Sequence, residues 1–226
     1  MKVIARIEND YTTKFGVPRQ SGLVEGLVSD VVFEPEYRVA EALRGLEEFS
    51  HVWLIWGFHA AQGAEWRPTV RPPRLGGNRR IGVFATRSPY RPNRLGLSCV
   101  RLLEIRNEAG RGPVLRVRGA DLMNGTPIYD IKPYLAYADA HPEARGGFTE
   151  RTVREPLRVI MPEGFARDWP EEKRRALKEV LSLDPRPAYQ QDAERIYAFE
   201  FSGRNIRFRV AGDTLTVVGP EEECSK

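Results

Sequence analysis

In the first 140 residues no apolar run goes far before glycine, proline, asparagine or aspartate interrupts it. That spacing leaves room for strands of about four to eight residues and for little long helix. Val3–Ile7, Asp30–Phe33, His51–Phe58, Ile81–Ala85, Leu97–Ile105 and Val114–Val117 read as strands. His51–Phe58 is apolar nearly throughout, as a strand covered on both faces would be. Asn107–Pro113 supplies a hairpin turn between the last two. Glu36–Leu43 carries Val39, Ala40 and Leu43 at helical spacing, and Gly45 suits its C-terminal cap. Many short strands with one internal helix predict an N-terminal single-sheet β-barrel over residues 1–137.

The character then changes. Residues 138–152 are small, charged and glycine-rich, which suits a linker. Residues 153–226 read as a small α+β domain, so the fold class is mainly β with an α/β appendage. Val153–Ile160 is its first strand. Pro170–Leu183 is its helix, with Ala176, Leu177, Val180 and Leu181 on one face. Ile196–Phe201, Ile206–Val210 and Thr214–Val218 follow as a meander.

Charge is distributed unevenly. From Trp66 to Leu103 there is no Asp or Glu, while Arg67, Arg71, Arg74, Arg79, Arg80, Arg87, Arg91, Arg94 and Arg101 all fall there. Guanidinium groups grip phosphate and carboxylate bidentately and stack on bases, so the segment suits a polyanion. A solubilising rim balanced by acids elsewhere is the plainer explanation. Cys99 and Cys224 are too few for a disulfide framework, which favours a reducing, cytoplasmic setting. No apolar run approaches the ~18 residues of a membrane span. The first apolar run, Val3–Ile7, contains Arg6 and reads as a strand, not a signal peptide. His51 and His59 sit at opposite ends of one strand and make a weak metal pair, so no metal is expected. No Walker loop or Gly-x-Gly-x-x-Gly is present, which argues against a Rossmann site.

Four segments punctuate the strand ends: Val17–Gly22, Trp66–Arg80, Ala85–Arg94, and Asp121–Tyr134. Singly, each has a plain reading as a turn or a solvated loop. Together they would gather Arg, Asn, backbone amides and aromatics at one end of a closed sheet.

The stretches VPRQ, WRPTVRPPRLGGN, IGVFATRSPYRPNRLGLS and DLMNGTPIYDIKPY, in this order and spacing, resemble the TrmO (YaeB-like) family of tRNA (adenine-N6)-methyltransferases. DPRPAY at 184–189 is similar to that family's C-terminal unit. The resemblance implies a β-barrel that binds S-adenosyl-L-methionine and methylates N6 of threonylcarbamoyladenosine at position 37 of the tRNA anticodon loop. It implies a homodimer with the cofactor near the subunit contact. Carried over by motif, the cofactor contacts are Pro18, Arg19, Gln20, His59, Ala60, Arg87, Leu97, Asn124, Gly125, Thr126 and Pro127. Ala60 stands where the family often has Gln, and Asn124 where it often has Asp. A backbone contact survives both changes; a side-chain contact does not.

S-adenosylmethionine carries an activated methyl, so the protein mainly aligns it with the amine and excludes water. Asp130 and Tyr134, held next to the Asn-Gly-Thr-Pro turn, are the expected acceptors for the proton leaving N6. Arg71, Arg74, Arg79, Arg91, Arg94 and Arg186 are expected on the tRNA, and Tyr90 and Trp66 as stacking surfaces. Two alternatives use the same arginines: a non-catalytic RNA-binding module on an OB-like barrel, and an enzyme acting on small nucleotide phosphates.

Overall fold

The structure is a computed structural model that describes residues 1–61, 65–77, 79–152, 155–186 and 192–219. In chain order the strands are β1 (Ala5–Glu8), β2 (Val28–Phe33), β3 (His51–Gly57), β4 (Thr69–Val70), β5 (Ile81–Gly82), β6 (Leu95–Glu108), β7 (Gly112–Arg118), β8 (Pro127–Pro133), β9 (Arg158–Ile160), β10 (Tyr197–Phe201), β11 (Arg204–Ala211) and β12 (Thr214–Val217). The α-helices are α1 (Ala136–Asp139) and α2 (Glu171–Ser182).

Six strands are hydrogen-bonded in the cyclic order β1-β2-β7-β6-β3-β8, every neighbouring pair antiparallel. Alternation fills the ring. Ile7, Val31, Val52, Leu54, Trp56, Val100, Leu115, Val117 and Ile128 point inward and are buried. β3 is covered on its inner face only, because outward Trp53 and Ile55 remain partly exposed. The antiparallel order has a consequence for function. It puts the ends of β1, β3 and β7 and the starts of β2, β6 and β8 at one rim.

The expected single-sheet β-barrel is corrected in three respects. The ring closes through a seam of two residue pairs, Ala5↔Ile128 and Arg6↔Pro127, because β1 is only four residues long. Ile81–Ala85 is no part of that ring: β5 pairs only with β4 in a separate ribbon, and Val83–Ala85 turns as a 3-10 helix. Glu36–Leu43 is not one α-helix but lies in short 3-10 turns, Pro35–Tyr37 and Ala40–Leu43. The stretch is short for a helix to repay its nucleation, and Arg38 ties the chain instead, donating to the carbonyls of Phe33 (3.0 Å) and Gly110 (2.9 Å). β8 has no counterpart among the expected strands.

The second sheet has the order β10-β11-β12-β9, with β9 parallel to β12. The expected strand from Val153 is shorter, and its first two residues lie outside the described ones. Helix α2 buries Ala176, Leu177, Val180 and Leu181 against the sheet, the four positions its spacing singled out. This core also takes in residues from the N-terminal third. Tyr11, Val24 and Leu27 are buried in it, and Phe15 packs against Phe199 and Phe208. The loop between β1 and β2 is thus held by the C-terminal unit. The Gly26 amide donates to Glu179 Oε2 at 3.0 Å, and Lys173 pairs with Asp10 at 3.2 Å.

Candidate active site

The β1–β2, β3–β6 and β7–β8 connections all leave the shared rim, and they carry most of the expected site residues. On the first, Pro18 is buried, Arg19 exposed and Gln20 half-buried. Gln20 is a bridge: its amide donates to the Arg19 carbonyl, and its Oε1 accepts from Arg87 Nη1. VPRQ and TRSP, far apart in sequence, thereby meet.

A second group forms around the turn before β8. Gly125 has φ +75°, a left-handed conformation that suits glycine. The amides of Asn124 and Gly125 donate to the carbonyls of Tyr11 (2.7 Å) and Ile7 (2.8 Å). Asn124 Oδ1 accepts from the Asn9 amide at 3.1 Å, so this side chain secures the turn. Buried Thr126 donates to the Met123 carbonyl at 2.7 Å and lies 3.3 Å from His59 Nδ1. Arg6 donates to the Gly125 carbonyl at 3.1 Å. Burial, and then the Arg6 charge, hold the His59 pKa below its ordinary value, so the imidazole stays neutral. Ala60 follows His59 in a short 3-10 turn.

Asp121, which is not among the expected site residues, lies on the β7–β8 connection at this rim. Its Oδ1 accepts from Ser98 Oγ at 2.5 Å, and Ser98 Oγ accepts from the Trp56 indole at 2.9 Å. Burial raises the Asp121 carboxyl above the usual carboxylate range, against the opposing pull of Ser98 and of Arg87. Arg87 is thus bonded to Gln20 and electrostatically coupled to Asp121. A signal for this cluster exists in sequence. Ser98 and Trp56 share the inward parity of Val100 and Leu54, and a buried hydroxyl and indole N–H both need partners.

Other expected residues lie elsewhere. In register, Leu97 and Asp130 flank Ile55 on the outer face of the ring. Leu97 is 53% exposed, and Asp130 pairs with Lys132 at 3.1 Å. Tyr134 packs beside His51 and Trp53, past the far end of β8. The expectation that Asp130 and Tyr134 sit next to the Asn-Gly-Thr-Pro turn is therefore corrected for a single chain. β8 is a full strand and carries them away from it.

The arginines divide. Arg71 and Arg79 are exposed and form no ion pair among the described residues. The side chain of Arg74 lies outside the described residues. Arg91 Nη1 donates to the carbonyls of Val83 (3.1 Å) and Thr86 (2.6 Å), and its guanidinium lies 5.5 Å from the Phe84 ring centre. Phe84 itself is 72% exposed. Arg94 is half-buried with φ +44°. Tyr90 lies under the Arg67 guanidinium at 5.1 Å, and Trp66 is exposed. Arg186 is bound to Asp184 at 2.8 and 3.1 Å, with its side chain only 12% exposed. Residues 187–189 of the DPRPAY motif lie outside the described ones.

A sheet rim that carries arginines and exposed aromatic faces suits an aromatic, anionic ligand such as a nucleic acid. Comparison with known proteins makes this specific. Residues 6–140 match the tRNA-methyltransferase O N-terminal domain and residues 155–223 match the TrmO C-terminal domain. The chain belongs to the TrmO family. It is 40% identical to the tRNA (adenine(37)-N6)-methyltransferase of Escherichia coli, covering 92% of this chain and 91% of that one. It is 42% identical to a putative S-adenosylmethionine-dependent methyltransferase of Pseudomonas aeruginosa, covering 83% and 82%. The crystal structure of TrmO from Pseudomonas aeruginosa superposes with a TM-score of 0.75 at 31% identity, over 96% of this chain and 97% of that one.

Proposed function

We propose a site for the reaction that family membership assigns. The protein is an S-adenosylmethionine-dependent tRNA (adenine-N6)-methyltransferase, and it methylates N6 of threonylcarbamoyladenosine at position 37 in the anticodon loop. The observation that carries the reading is full-length kinship to such an enzyme through both domains.

The cofactor is held at the shared rim. Gln20 and Arg87 are already joined there, and Pro18, Arg19, His59, Ala60 and residues 124–127 surround the same end of the ring. A neutral His59 suits a sulfonium, which a second cation beside it would repel. When bound, S-adenosylmethionine supplies the methyl group. The chain's part is to orient it, hold the adenine amine in line and exclude water. Asp121, joined through Ser98 to Trp56, places a carboxyl whose charge attracts Arg87 at the same rim. Asp130 and Tyr134, on the outer face and at the far end of β8, act as proton acceptors only if a second subunit brings them to the rim.

Arg71 and Arg79 take phosphates, and Phe84, backed by Arg91, offers a stacking face for an unstacked base. Leu97 with Ile55 on the outer face supports a homodimer whose contact adjoins the cofactor. The two units divide within 138–152, in the cytoplasmic protein expected from its thiols. Titration calorimetry with S-adenosylmethionine tests the reading. Saturable binding supports it, and its absence favours the non-catalytic RNA-binding module.

A further inference from the structure

Arg186 is expected on the tRNA, yet its guanidinium is paired with Asp184. Asp184 follows α2, and its amide donates to the Leu181 carbonyl at 3.2 Å. Its carboxylate closes a tight turn, accepting from the Arg186 amide at 3.3 Å and from Arg186 Nε and Nη2 at 2.8 and 3.1 Å. The two side chains are 17% and 12% exposed. A bidentate pair of this geometry fixes the turn as a rigid unit.

The turn in its turn presents two carbonyls to one guanidinium. Arg19 Nη2 donates to Asp184 O at 3.1 Å and to Arg186 O at 3.3 Å. The acceptors lie just past the C-terminal end of α2, where the helix dipole favours a cation. From Arg19 the chain of bonds continues through its own carbonyl to Gln20 and from Gln20 to Arg87. A cavity of about 280 Å³ adjoins the cradle, lined by Phe15, Pro18, Pro73, Leu183 and Pro185 among others.

We propose that Asp184 and Arg186 are positioning residues for methyl transfer: their closed turn clamps Arg19, which sets Gln20 and through it Arg87 at the cofactor rim. The C-terminal unit thereby completes the cofactor site of the N-terminal ring without touching the cofactor. This rests on the cofactor reading above.

The full-length protein with Asp184→Asn tests it. Asp184 has φ +52°, a conformation asparagine tolerates, so the variant removes the charge and keeps the backbone. The expected result is a rise of about tenfold in KM for S-adenosylmethionine, with kcat at saturating cofactor and KM for tRNA little changed. Asp184→Gly, which relieves the positive φ but leaves Arg186 unpaired, gives the same rise. Asp184→Glu recovers part of the loss. An unchanged KM for the cofactor overturns the proposal. So does a rise confined to KM for tRNA, which would return Arg186 to the substrate. Failure of the wild-type protein to bind S-adenosylmethionine would sink the cofactor reading itself, a separate outcome.

Discussion

Gly26 lies where the β1–β2 loop presses on α2, and Gly26→Ala probes how firmly that loop is held. A Cβ at this position would stand 2.8 Å from both the Cα and the N of Ala176. Those are backbone atoms of a helix packed on its own core, so no side chain can swing aside. Relief requires the loop and α2 to part by ~0.5–1 Å, which also stretches the 3.0 Å bond from the Gly26 amide to Glu179. Overpacking of this kind costs about 1–3 kcal/mol. For a chain of this size each kcal/mol lowers Tm by about 2–4 °C, so a drop of about 2–12 °C is expected by calorimetry or circular dichroism. The same loop carries Arg19 and Gln20, so cofactor affinity should weaken as well. A melting curve that overlays wild type would refute the claim that the C-terminal unit grips this loop.

Other outcomes follow from the same contacts. Asp121→Asn should separate stability from activity. The folded carboxyl is raised by burial, so its contribution to stability is full below the unfolded pKa and is lost as pH rises through the folded value. The variant is therefore as stable as wild type or more so at neutral pH, with the difference vanishing in acid, while methyl transfer falls; lower neutral-pH stability would contradict this. Arg71→Ala with Arg79→Ala should flatten the salt dependence of tRNA binding by about 1.4 in log–log slope, as fits two lost phosphate contacts. Phe84→Ala should raise KM for tRNA but leave the salt slope and cofactor affinity alone, and a change in oligomeric state instead would make Phe84 an interface residue.

Much of the fold is legible in the sequence where spacing and packing agree. The meander β10–β12 and the buried face of α2 follow directly from alternation and from the 3.6-residue period. β8 is not legible, because Gly125, Thr126 and Pro127 read as a turn and Lys132–Pro133 as a strand breaker, although Pro127 opens the strand at the β1 seam and Lys132 and Pro133 pair with Trp53 and Val52 of β3. Nor is the burial of the 10–27 loop, whose Tyr11, Val24 and Leu27 have no common period. The site divides similarly. Motifs found Gln20, Arg87, His59 and Thr126, which the rim collects. They could not tell an arginine that faces solvent, such as Arg79, from Arg91 and Arg186, whose guanidinium groups are consumed by the protein's own carbonyls and carboxylate. That distinction is tertiary.

The central claim is that the rim joining Gln20 to Arg87 delivers a methyl group to one tRNA base. Mass spectrometry of anticodon-loop fragments, after incubating tRNA with S-adenosylmethionine and either wild-type or Arg87→Ala protein, tests it most directly. Wild type should add one methyl on N6 of the modified adenosine at position 37, and a folded Arg87→Ala none. Equal methylation by both proteins, or a methyl on another nucleotide, would contradict it.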